Sequence, residues 1–182
     1  MECTCYHKDF VEGDVEFMIL NDSDIYNFED KSVLIEAKMK ITKKKHLILT
    51  FEGYFGQLSS IPSEPGVYCI YEAKHKRGSG SFERGALLYI GEADDMNYRL
   101  THGHEKLEMI TKDLKKSGDK PCFSFAKTKE HELAEAALIF RTTPPYNDQS
   151  TEGYHREPIV IDVEGDHHGI SPKVTINEEE IT

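Results

Sequence analysis

Six polar residues in the middle of the chain have the types and spacing for chemistry on a charged substrate: Tyr68, Tyr89, Arg99, His102, Glu135 and Asn147. The tyrosines sit in two short apolar runs, Gly66-Val67-Tyr68-Cys69-Ile70-Tyr71 and Ala86-Leu87-Leu88-Tyr89-Ile90-Gly91. Runs of this make-up, bounded by Pro, Gly or charged turns, predict strands. Side chains alternate along a strand, so a suitable register brings the two phenols together on one face. Arg99 and His102 are three residues apart and share a face of a predicted helix. Glu135 lies inside Leu133-Ala134-Glu135-Ala136-Ala137-Leu138-Ile139. A carboxylate flanked so closely by apolar residues is either just off the buried stripe or aimed at a cation. Each residue also has a plain structural reading. The tyrosines suit a half-buried sheet, Arg99 can pair with Asp95, Glu135 with a neighbouring Lys or Arg, and Asn147 can cap the turn after Pro145.

The elements that must position these groups follow from periodicity. Lys74 to Ser81 is a basic, glycine- and serine-containing link, so the two tyrosine strands read as a hairpin with a long loop. After Gly91 the pattern turns helical, with Asp94 or Asp95 as cap and Gly103 as the break. A second helix is predicted from Glu105 to Ser117, with Leu107, Ile110 and Leu114 on its stripe and Gly118 as its stop. Cys122 to Ala126 reads as a strand, and Lys129 to Arg141 as a helix ending before Thr143-Pro144-Pro145-Tyr146-Asn147. Upstream, Val15–Leu20 and Leu47–Phe51 are candidate strands, and Val33–Ile41 is ambiguous between helix and strand. Downstream, Pro158–Val163 and Lys173–Ile176 alternate as a terminal hairpin would, and Glu178–Glu180 is expected to fray.

Net charge is −11, which by itself argues against a polyanionic partner. Its distribution changes that conclusion. Residues 1–30 carry −8 and residues 150–182 carry −6, leaving the centre at +3. The lysine run ending at Lys45 is either a solvated charged edge or a phosphate-contacting patch. The four cysteines form no C-x-x-C pair, which gives a structural zinc site little support, and Cys69 and Cys122 read as buried thiols. No apolar run is long enough for a transmembrane helix, and the first residues lack the build of a signal peptide, so a cytoplasmic protein with no membrane partner is expected.

Taken in order, Gly66-Val67-Tyr68, Tyr89-Ile90-Gly91, Arg99 ten residues after Tyr89, the Glu135-Ala136-Ala137-Leu138-Ile139 helix, and Asn147 closing Pro-Pro-Tyr-Asn twelve residues after Glu135 give the chain its character. In this it resembles the GIY-YIG nuclease family over about residues 62–149. The resemblance implies an α+β fold with a small central antiparallel sheet of about three strands flanked by helices. Residues 1–61 would be an N-terminal extension, 62–149 the nuclease domain, and 150–182 an acidic C-terminal hairpin, both ends rich in β structure. It also implies a metal-dependent DNA endonuclease, a compact stand-alone member of the family. In that reading Glu135 holds one Mg²⁺, with Mn²⁺ as a substitute, because a lone carboxylate suits one metal and not two. Arg99 holds phosphate oxygens, Tyr68 and Tyr89 activate the attacking water, His102 moves protons and Asn147 braces the site.

Three departures stand out. Residues 69–88 make a longer link than relatives carry, and Lys74, Lys76, Arg77 and Arg84 there are candidate DNA contacts, or else part of a solvated insertion. Glu92 brings an extra negative charge. Gly103 occupies the usual place of the family histidine, with His102 on the arginine's helical face as its replacement and His104 left open. A catalytically inactive nucleic-acid-binding or scaffolding protein on this fold is the other expectation. A homodimer, and a basic protein docking on the acidic ends, complete the partners expected.

Overall fold

A computed structural model of the chain describes residues 44–76, 81–147 and 153–181, which belong to a single compact unit. The expectations for Val15–Leu20, Val33–Ile41, the acidic residues 1–30, most of the lysine run and Arg77 lie outside the described residues.

Six strands form: β1 (Lys45–Phe55), β2 (Gly66–His75), β3 (Phe82–Ala93), β4 (Lys120–Lys127), β5 (Ile159–Gly165) and β6 (Lys173–Ile176). Three α-helices lie among the described residues: α1 (Met96–Thr101), α2 (Glu105–Lys115) and α3 (His131–Thr142). The strand order is β3-β2-β4-β1-β5-β6 in one sheet. All neighbours run antiparallel except β1 and β5, which are parallel.

This corrects the expected architecture. The sheet is a six-stranded, mixed, curled half-barrel with three helices, where about three antiparallel strands flanked by helices and separate β-rich extensions were expected. The physical reason lies in β4 and β1. Without β1, strand β4 would end the sheet with an unpaired edge. Instead Glu52 and Gly53 of β1 pair with Phe125 and Ser124 of β4. On its other side β1 takes β5 in a seven-residue parallel register, from Lys45–Ile159 to Phe51–Gly165. Leu49 and Phe51 alternate inward with exposed Ile48, Thr50 and Glu52, and Ile159, Ile161 and Val163 alternate inward from β5. These side chains share one core with Val67, Cys69, Ile90, Val174, Ile176 and the apolar stripe of α3.

A second core lies on the opposite face of the tyrosine strands. There Tyr68, Ile70, Phe123 and Phe125 meet Met96 and Leu100 of α1 and Leu107, Ile110 and Leu114 of α2. Strand β2 is covered on both faces, and residues 66–71 are all buried. The hairpin of β2 and β3 is longer than expected, since strand pairing continues to His75 and Phe82. Lys74 and His75, at the start of the expected flexible link, are therefore ladder residues, as is Arg84 beyond it. Lys74 pairs across from Glu83, and Arg84 across from Ala73.

The terminal acids do not fray. They form a short 3₁₀ turn, in which the Glu180 carboxylate accepts from Asn177 N at 3.0 Å and pairs with Arg141 at 2.7 Å.

Candidate active site

The register Tyr68–Gly91 and Ile70–Tyr89 makes the two tyrosines diagonal neighbours on one face, with ring centroids 6.3 Å apart. Gly91 explains why they can converge. A Cβ there would stand 2.5 Å from both Cζ and Oη of Tyr68 and 2.7 Å from Tyr89. The first triplet's glycine has a similar duty, since a Cβ on Gly66 would meet the Ala126 carbonyl at 2.4 Å and the Met96 side chain at 2.8 Å. Both triplets thus spend their glycine on a close approach and not on a turn.

His104 stands between the phenols, with ring centroids 5.7 Å from Tyr68 and 5.4 Å from Tyr89. It is 2% exposed and caps α2, its Nδ1 accepting from Leu107 N at 3.0 Å. That contact fixes the tautomer. With Nδ1 acting as acceptor, the proton of the neutral ring sits on Nε2, which donates to Tyr68 Oη at 2.8 Å. Burial and the nearby Arg99 charge push the imidazole down to about 4, so the ring is neutral near pH 7. Tyr68, accepting from His104, keeps its own proton to donate, and Tyr89 lies within its hydrogen-bonding influence.

Arg99 lies on the exposed side of α1 behind the Asp95 cap, whose Oδ1 accepts from Tyr98 N at 2.8 Å. Its guanidinium makes no hydrogen bond or ion pair among the described residues, so the pairing with Asp95 is not formed. Its charge acts on Tyr68, Tyr89 and His104. The Glu135 carboxylate acts on both tyrosines in the opposite sense and likewise has no hydrogen bond or ion pair among the described residues. Burial first, then the Glu92 charge, pushes Glu135 up to about 7, against the downward pull of Arg156 and His131. Burial outweighs Arg99 at both phenols, which are held above the ordinary tyrosine range.

Glu92 is not a loose charge. Its Oε2 lies 2.5 Å from Nδ1 of His131, whose Nε2 is 3.2 Å from Asp94 Oδ1. His131 begins α3 one turn before Glu135.

Asn147 binds no site group directly. Its Oδ1 accepts from Ile90 N at 2.9 Å and its Nδ2 donates to Ile90 O at 2.7 Å, completing the outer edge of β3 as a strand would. Tyr146 N donates to Leu88 O at 3.0 Å on the same edge.

The structure thus brings Tyr68 and Tyr89 together with His104, the charges of Arg99 and Glu135 act on both phenols, and Asn147 holds the backbone of Ile90 next to Tyr89. His102 is elsewhere. It is exposed, stacks on Tyr98 with centroids 4.1 Å apart, and bonds through Nδ1 to Thr101 and the Tyr98 carbonyl. The helix breaks at Gly103, whose φ of +74° lets the chain turn and place His104 against the two tyrosines. A histidine directly ahead of a helix that begins at Glu105 was the available signal for a capping role. Of the proposed DNA contacts, Lys74 lies 3.4 Å from Glu72, Arg84 stacks 4.6 Å over the Tyr54 ring, and Lys76 N donates to Ser81 O. Arg84 is opposite Ala73, five residues from Tyr68 along β2, or roughly 17 Å.

Glu135 is a partly buried carboxylate with no hydrogen bond or ion pair among the described residues, and a cation beside it would stabilise its ionised form. No three His, Cys, Asp or Glu side chains converge on a metal position among the described residues. No protein-family model, curated protein or solved structure matches the chain. No described helix is long and apolar enough to cross a membrane.

Proposed function

We propose that this protein is a metal-dependent DNA endonuclease of the GIY-YIG type, acting in the cytoplasm. One observation carries the reading. A guanidinium and a carboxylate with no hydrogen bond or ion pair among the described residues act on the same pair of neighbouring phenols, one of which, Tyr68, a neutral histidine orients. A phosphodiester fits between such groups, its oxygens on Arg99 as a planar fork. Glu135 would hold one Mg²⁺, or Mn²⁺ in its place, and that ion would supply charge neutralisation at phosphorus. The other steps fall to the chain. Tyr89, half-buried, is the phenol able to reach a water, whereas Tyr68 is 1% exposed. Tyr89 takes the water's proton as its own is released outward. His104 donates to Tyr68 in the direction fixed by Leu107 N, which leaves the Tyr68 proton to be donated toward the intermediate Tyr89 phenolate. Asn147 keeps Ile90, and so the adjacent Tyr89, in register.

The test is relaxation of supercoiled plasmid with Mg²⁺ by the native protein and by Glu135→Ala. Nicking by the native protein alone supports the reading. An inert native protein on supercoiled, single-stranded, branched and mismatched DNA overturns it. The Glu92 carboxylate, which raises Glu135, favours one other reading, a catalytically inactive DNA-binding or scaffolding protein on this fold. DNA binding without cleavage would distinguish it.

A further inference from the structure

We propose that Tyr98 and His102 form a stacking shelf for an unpaired nucleobase beside the phosphate held by Arg99. This rests on the nuclease reading and adds the state of the DNA at the cut. Tyr98 is 61% exposed, so its ring is not held for the core. It nonetheless has a fixed orientation, stacked on His102 with 4.1 Å between centroids and 15° between planes. The histidine ring is fixed in turn. Its Nδ1 is 2.9 Å from Thr101 Oγ1 and 3.1 Å from the Tyr98 carbonyl. The Thr101 hydroxyl gives its proton to Asn97 O at 2.7 Å, so both neighbours of Nδ1 accept and Nδ1 carries the ring proton. Nε2 is left as an acceptor with no partner among the described residues.

Tyr98 in α1 and His102, its C-cap, are four residues apart, and Arg99 lies to one side of the pair, roughly 100° and 60° around the helix from them. The shelf therefore adjoins the cation that would hold the phosphate, and a nucleotide could engage both at once. Asp95, the neighbouring acid, is occupied in capping Tyr98 N. A base inside a duplex has both faces covered by its neighbours, so only an unpaired base offers one to an aromatic ring. The substrate would be DNA carrying an unpaired nucleotide at the scissile phosphate.

The test is fluorescence anisotropy of the full chain in EDTA, so that binding is read without cleavage. The probes are a single-stranded oligonucleotide, an abasic strand of equal length, and the duplex. Tyr98→Ala should weaken the intact strand about tenfold and leave the abasic strand and the duplex unchanged. Tyr98→Phe, which keeps the ring and the fold, should bind the intact strand as the native protein does. Arg99→Ala should weaken all three probes and flatten their salt dependence. If Tyr98→Ala binds the intact strand normally while Arg99→Ala does not, the shelf is refuted and the nuclease reading stands. If no DNA form binds the native protein, both fall.

Discussion

Glu135 and His104 carry opposite pH signatures. Burial and the Glu92 charge raise Glu135 from its ordinary 4.5 to about 7. The unfolded chain therefore releases this proton first, and stability falls as pH rises from about 4.5 through about 7. Glu135→Gln has no such loss, so it should be more stable than native by about 2 kcal/mol at pH 8 and equal to it at pH 4, as read from urea unfolding. The same change should lower plasmid nicking on the order of a hundredfold or more. His104 shifts the other way, from 6.5 down to about 4. The unfolded histidine takes up its proton first, so stability should fall as pH drops from about 6.5 to about 4. Protonation would also place a proton on the Nδ1 that caps α2. His104→Asn can still cap, and should melt higher than His104→Ala by about 1 kcal/mol at pH 7, while both lose the bond to Tyr68. The types and spacing of Tyr68, Tyr89, Arg99 and Glu135 were legible as a set. The choice between His102 and His104 was not, because it depends on where Gly103 turns the chain and helical spacing cannot give that direction.

At the scale of elements, the hairpin of β2 and β3 holds both tyrosines on one face. Its edge strand β3 is completed by a side chain, not a strand. Asn147→Ala should cost about 2 kcal/mol and speed hydrogen exchange at the Ile90 amide beyond what global destabilisation accounts for. Gly91→Ala would force Tyr68 and Tyr89 apart, because the new Cβ falls 2.5 Å from the Tyr68 ring. Loss of nicking with the far-ultraviolet spectrum retained is the expected result. Strand and helix existence was readable from alternation and from capping residues, and Asp95, Gly103 and Gly118 act at the ends where they were expected. The length of the hairpin was hidden. Lys74 and Arg84 are charged and sit beside glycines and serines, yet they pair in the ladder because their outward faces tolerate charge.

For the molecule as a whole, the C-terminal segment is part of the sheet. Strand β5 pairs along β1, and Ile159, Ile161, Val163, Val174 and Ile176 fill the core under α3. A chain ending at residue 149 should therefore lose its cooperative thermal transition, not merely an acidic arm, and differential scanning calorimetry reads that directly. Local order alone specified the two tyrosine strands and the helices after them, since periodicity, caps and turns act over a few neighbours. Tertiary structure decided how many strands share the sheet, which histidine meets the two tyrosines and what Asn147 holds. Those outcomes depend on which edges and apolar faces find one another across long stretches of chain, and short-range patterns carry no record of that pairing.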